Sequence, residues 1–249
     1  MRHERKSSET NKQAADYWRA LWRDRCVNIT SGEILASLIK ANGFDSGCGD
    51  YTVSQWKTMS ETLCASLNIS RSSCVLEVGC GSGALLYAIQ LCSQAKVFGY
   101  DYSKSLISAA KQLINGEFRV SEAPVNPFRE ELFDFAISHS VFQYFPTLEY
   151  AFQTIVSMSA ALRPGGKIAL LDLNDAETKD AYHNARKLAS GHPDAYETKY
   201  RRYPHQFYDK HEIMAFLESL GFREIEFLQH SVAEYLNSTY RFNIVGIKK

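Results

Sequence analysis

Apolar residues recur along the chain with two periods, and the switches between them mark out its elements. Near the start, AADYWRALW places Ala14, Tyr17, Trp18, Leu21 and Trp22 three and four residues apart, the spacing of an amphipathic helix. After the turn-rich stretch FDSGCGDYT, Thr52 and Gln55 form a capping box. A second helix follows from it, with Val53, Trp56, Met59, Leu63 and Leu67 along one face. Short apolar runs then alternate with helical periods. Cys74–Val78, Lys96–Tyr100, Glu117–Val120, Phe133–Ser138 and Lys167–Asp172 predict strands. Helices are predicted from about Gly83 to Cys92, Lys104 to Asn115 and Leu148 to Leu162, the second capped by Ser103 and followed by Gly116.

From Asn174 the pattern changes. Residues 174–208 are polar, rich in Tyr, His and Lys, and interrupted by Pro193 and Pro204, which suggests an insertion partly covering one edge of a sheet. Asp209, with Glu212 three residues on, caps a last helix that Gly221 stops. Strands at about Glu224–Gln229 and Arg241–Lys248 have no helix between them and should pair antiparallel. The expected fold is α/β, a doubly wound and mostly parallel seven-stranded sheet with an antiparallel final pair. Residues 1–12 form a disordered tail in this reading, 13–68 are N-terminal helices on the substrate side, and 69–249 are the α/β domain with its inserted cap.

Composition narrows the function. The 249 residues are 45% hydrophobic and 22% charged, with 28 basic against 28 acidic side chains. That is the balance of a soluble globular protein, with no bulk field to recruit nucleic acid or an acidic membrane. Cys26, Cys48, Cys64, Cys74, Cys80 and Cys92 include no C-x-x-C pair, so neither a metal site nor a disulfide framework is expected. No apolar run is long enough to span a membrane, and the polar start lacks the apolar core of a signal peptide; a cytoplasmic monomer or homodimer is expected.

The stretch VLEVGCGSG, residues 75–83, holds the candidate chemistry. Gly79, Gly81 and Gly83 between a strand and a helix let backbone turn tightly and approach a ligand. Asp101, about twenty residues on at the end of the next strand, can accept hydrogen bonds from a ribose diol. Gly79-x-Gly81-x-x-Ala84 also satisfies the loose dinucleotide fingerprint. Glu77 separates the two: a pyrophosphate would be repelled by it, whereas an ammonium or sulfonium would be attracted. S-adenosylmethionine combines a ribose diol, an α-amino group and a sulfonium.

At this point the sequence resembles the class I S-adenosylmethionine-dependent methyltransferases, whose first motif, E-x-G-x-G-x-G, is matched at every fixed position by Glu77-Val78-Gly79-Cys80-Gly81-Ser82-Gly83. The resemblance covers roughly residues 50–175 and the closing strand pair, and implies a Rossmann-like domain. It implies that Glu77 with Gly79, Cys80, Gly81 and Gly83 holds the methionine moiety, Asp101 the ribose, and that Tyr102 flanks the adenine. Glu122 and Ala123 stand where the family has Asp-Ala at the adenine. DFAISHSVFQYF resembles the fourth motif, which puts Ser138 and His139 near the transferable methyl. Pro164, Gly165 and Gly166 shape the turn into the fifth strand. S-adenosylhomocysteine would be the product.

His139 is the candidate base, with a hydrogen-bonded structural histidine as the plainer alternative. Tyr144 could orient the acceptor or pack under the cap. Trp18, Tyr51 and His205 are the candidate substrate contacts; core packing is the simpler reading of the first two, and a solvated loop of the third. No Asn/Asp-Pro-Pro-Tyr tetrad follows the fourth strand, and no basic stripe is interleaved with aromatics, which disfavours nucleic-acid acceptors. The expectation is a small-molecule O- or N-methyltransferase. A protein methyltransferase, which would need an open groove, is one alternative; a non-catalytic partner subunit sits poorly with the intact glycine motif. A dehydrogenase would be revived by tight nicotinamide binding.

Overall fold

The computed structural model describes residues 2–249 except 24, 26, 27, 31, 46–48, 130 and 131, and residues 2–12 at the level of backbone only. Cys26 and Cys48 lie outside the described residues; Cys64, Cys74, Cys80 and Cys92 are free thiols. Three helices precede the sheet: α1 (Arg2–Arg23), α2 (Ile34–Ala41) and α3 (Val53–Leu67). The first runs through the residues expected as a tail up to residue 12. That segment buries nothing in its sequence pattern, but it is built of helix formers such as Arg, Glu, Lys and Gln and extends the amphipathic turn that starts at Ala14. The helix α2 was not anticipated. Thr52 caps α3, its side chain accepting from the Gln55 backbone while the Gln55 side chain returns to the Thr52 N–H.

The sheet contains β1 (Cys74–Val78), β2 (Lys96–Asp101), β3 (Glu117–Val120), β4 (Phe133–His139), β5 (Leu162–Asn174), β6 (Phe222–Leu228) and β7 (Arg241–Lys248), in the order β3-β2-β1-β4-β5-β7-β6. The first five are parallel, and β7 runs antiparallel between β5 and β6. Between strands lie α4 (Ala84–Ser93), α5 (Lys104–Leu113), α6 (Leu148–Ala161) and α9 (Lys210–Ser219). The segment read as an insertion folds into α7 (Lys179–Ala189) and α8 (Pro193–Arg202).

Side-chain alternation along the strands divides the core in two. Val75, Phe135, Ile137 and Leu171 pack on the α3–α4 side. Leu76, Val78, Ala136 and Leu170 pack on the α6–α9 side. Strand period two therefore sends Glu77 and His139 to the α3–α4 face, and Ser138 to the other. Among the described residues no helix is long and apolar enough to cross a membrane.

Candidate active site

A cleft with about 860 Å³ of empty space, the solvent at its mouth included, lies at the carboxyl edge of β1, β2 and β4. Gly79 and Gly81 form one wall, with backbone in the left-handed region at φ 72° and 54°. A Cβ on Gly79 would lie 2.7 Å from Val141 Cγ2 and one on Gly81 would press on Asn42 Oδ1, and the left-handed backbone strains any side chain at either position. Asn42, just past α2, stitches this loop: its Oδ1 accepts from the Ser82 N–H at 2.8 Å and Ser82 Oγ at 2.9 Å, and its Nδ2 donates to the Cys80 carbonyl at 3.2 Å.

Glu77 is buried behind the loop, and its Oε2 has no hydrogen-bond partner. Burial pushes its carboxyl well above the ordinary range, and nearby Asp101 adds to the rise. The Leu86 N–H in the first turn of α4 pulls the other way. No cation of the described residues meets it. Asp101, on the cleft wall, accepts from the Gly81 N–H at 3.0 Å and the Ser103 N–H at 2.8 Å. Burial raises it to about 6 against the pull of those two donors.

Tyr102, Glu122 and Ala123 line the far end of the cleft. Glu122 is held by Arg19 of α1, at 3.0 Å from Nη2 to Oε2, and by the Tyr150 hydroxyl at 2.9 Å. The same guanidinium lies 5.4 Å over the Tyr102 ring. Ala15, Arg19 and Trp22 thus bring α1 across the cleft as a roof. Sequence reasoning missed Arg19 and Asn42. The only local signal for either was the apolar spacing of Ile34, Leu35, Leu38 and Ile39, which marks the helix that delivers Asn42.

His139 reaches the cleft, buried, with the Phe44 and Trp56 rings each 5.5 Å away. Burial depresses it to about 4 although Asp172 favours its charged form, so the ring is neutral at physiological pH. Tyr144 also lines the cleft, beneath Trp18 and Trp22. Beside them, Ser140 takes a left-handed φ of 57° and donates to Asp172 Oδ2 at 2.6 Å, and Asp172 in turn is paired with Arg241 in a fully buried cluster.

Several expected residues are elsewhere. Ser138 does not face the cleft: alternation turns it away, and its hydroxyl donates to the Val78 carbonyl at 3.0 Å, tying β4 to β1. Cys80 and Gly83 lie on the protein side of the loop, Cys80 against Gly99 and Gly83 against Ile114. Trp18 is buried above Tyr144, its Nε1 donating to the Pro204 carbonyl at 3.4 Å. His205 is buried rather than solvated, because α8 closes on α1 around it; it meets the Tyr182 hydroxyl at 3.1 Å and Nε2 has no partner. Tyr51 stacks on Tyr235 at 4.5 Å and lines a different cleft.

A family model described as a methyltransferase domain matches residues 69–221. Malonyl-[acyl-carrier protein] O-methyltransferase of Geobacter sulfurreducens is 26% identical over 168 residues, 65% of this chain and 60% of its own. The tRNA (carboxymethyluridine(34)-5-O)-methyltransferase of Xenopus tropicalis is 28% identical over 174 residues, 65% of this chain and 26% of its own. The chain spans between 4% and 60% of the lengths of the curated relatives it matches. Magnesium protoporphyrin IX methyltransferase from Synechocystis, solved with bound S-adenosylhomocysteine, superposes with a TM-score of 0.56 over 94% of this chain and 93% of that one. At 17% identity that likeness is one of fold.

Proposed function

Since the chain belongs to the S-adenosylmethionine-dependent class I methyltransferases, we propose that it methylates an oxygen or nitrogen of a small-molecule acceptor. The observation that carries this reading is the roofed cleft walled by Gly79, Gly81 and Asp101, with a buried, unpartnered carboxylate oxygen of Glu77 behind the glycine loop. Those residues fit the cofactor: an ammonium would satisfy Glu77 Oε2, and a ribose diol would share the Asp101 carboxylate.

When bound, S-adenosylmethionine supplies a methyl group already activated by its sulfonium. The chain's own work is then to hold and to exclude. Gly79 and Gly81 bring backbone close, and α1 with Trp22 keeps water out. Positioning of this kind contributes several kcal/mol to a displacement reaction. The neutral imidazole of His139 can take a hydrogen bond, and in turn a proton, from an acceptor hydroxyl. The roof supports a small acceptor over a folded protein or a tRNA, and equal numbers of acidic and basic side chains supply no attraction for the latter.

Calorimetric titration tests the assignment. Glu77→Ala and Asp101→Ala are each expected to weaken S-adenosylmethionine binding tenfold or more, about 1.4 kcal/mol. Unchanged affinity in both would refute it.

A further inference from the structure

A second cleft, also with about 860 Å³ of empty space counting the solvent at its mouth, lies between α3 and the connection leaving β6. Exposed Thr62 and Ser66 stand at its mouth, and buried Leu63, Leu171 and Val232 form its floor. Its inner end is His139, which among the described linings is the residue common to both clefts. The cause is strand geometry. His139 and Leu171 are paired across β4 and β5 and face the α3 side together, while the carboxyl end of β4 also borders the glycine loop. The imidazole has no hydrogen-bond partner among the described residues.

We propose that this second cleft seats the acceptor, an inference that rests on the methyltransferase reading of the first. The two ligands then enter from opposite sides. The cofactor lies under α1, the acceptor passes between α3 and the β6–β7 connection, and the two meet at His139. The lining also selects the acceptor's chemistry. No Lys, Arg, Asp or Glu of the described residues borders the cleft, and its floor is aliphatic. A carboxylate or phosphate would be desolvated there without a counter-ion. The acceptor is a neutral, mainly apolar small molecule with one hydroxyl or amine, and Thr62, Asn243 and His230 supply polar contacts along the way.

The uncharged fluorophore N-phenyl-1-naphthylamine tests this in the intact chain. Expected is saturable binding to the wild type that survives saturation with S-adenosylhomocysteine. Thr62→Trp, which fills the mouth from an exposed helix position, should weaken the probe at least tenfold and leave S-adenosylhomocysteine affinity unchanged by calorimetry. Ser66→Trp, one turn on, repeats the test should the first variant fail to fold. The sulfonated probe 8-anilinonaphthalene-1-sulfonate should bind at least tenfold more weakly than the neutral one. Displacement of the neutral probe by S-adenosylhomocysteine, equal binding by the folded Trp variants, or no preference over the sulfonate would overturn the proposal. A wild type that takes up the probe but not S-adenosylhomocysteine would instead strike at the cofactor assignment.

Discussion

Glu77 is held where its own charge is disfavoured. A carboxyl raised by burial binds its proton more tightly folded than unfolded, so its contribution to stability is present at low pH. It is lost as pH rises from about 4.3, the unfolded value, through the folded one. Asp101 acts in the same direction, losing its contribution between about 3.9 unfolded and about 6 folded. Glu77→Gln should therefore stabilise the ligand-free chain by about 1 kcal/mol or more at pH 8, and by less at pH 5, while weakening cofactor binding. Urea denaturation at the two pH values measures the gap, and a gap no wider at pH 8 would contradict this account. Residues of this kind were legible because their meaning is local: Glu77, the glycines and Asp101 are recognised by spacing along one strand-loop-helix segment. Ser138 was misread for a physical reason, since adjacent strand residues cannot both face one cleft.

At the scale of elements, the strands and the capped helices were readable from period and caps. Observed β1, β3 and β7 have the expected bounds, and β2 and β4 run one residue further. What escaped was contact between distant elements. Nothing near residue 19 announces that α1 will reach Glu122, 103 positions on. That ion pair is exposed on both sides and is worth at most about 1 kcal/mol to overall stability. Its effect falls on the roof instead. Arg19→Ala should leave the denaturation midpoint nearly unchanged and speed cofactor release several-fold, read by stopped-flow fluorescence of Trp22 beside it. A large loss of stability with unaltered release would mean that α1 is a structural strut rather than a cover.

At the scale of the whole molecule, a buried ion pair joins the sheet's late strands. Asp172 of β5 has a left-handed φ of 63° where the β5–β7 register shifts, and it meets Arg241, the first residue of β7. Burial alone would raise the Asp172 carboxyl, but the Arg241 guanidinium, together with His139, His230 and the Ser140 hydrogen bond, more than offsets this and holds it below its usual value. Its stabilisation is present above about 3.9 and is lost as pH falls. Asp172→Asn leaves a buried guanidinium without its counter-charge and should cost about 3–5 kcal/mol, seen as a lower urea midpoint; a shift under about 1 kcal/mol would show the pair to be dispensable. The place of β7 between β5 and β6 also constrains how the protein is made. A growing polypeptide can assemble its first five strands as they leave the ribosome, but β5 keeps an open edge, and Asp172 an unmatched charge, until Arg241–Lys248 has been translated. The sheet is thus sealed by the last of its own strands to emerge, and until then the β5 edge stays open to mispairing.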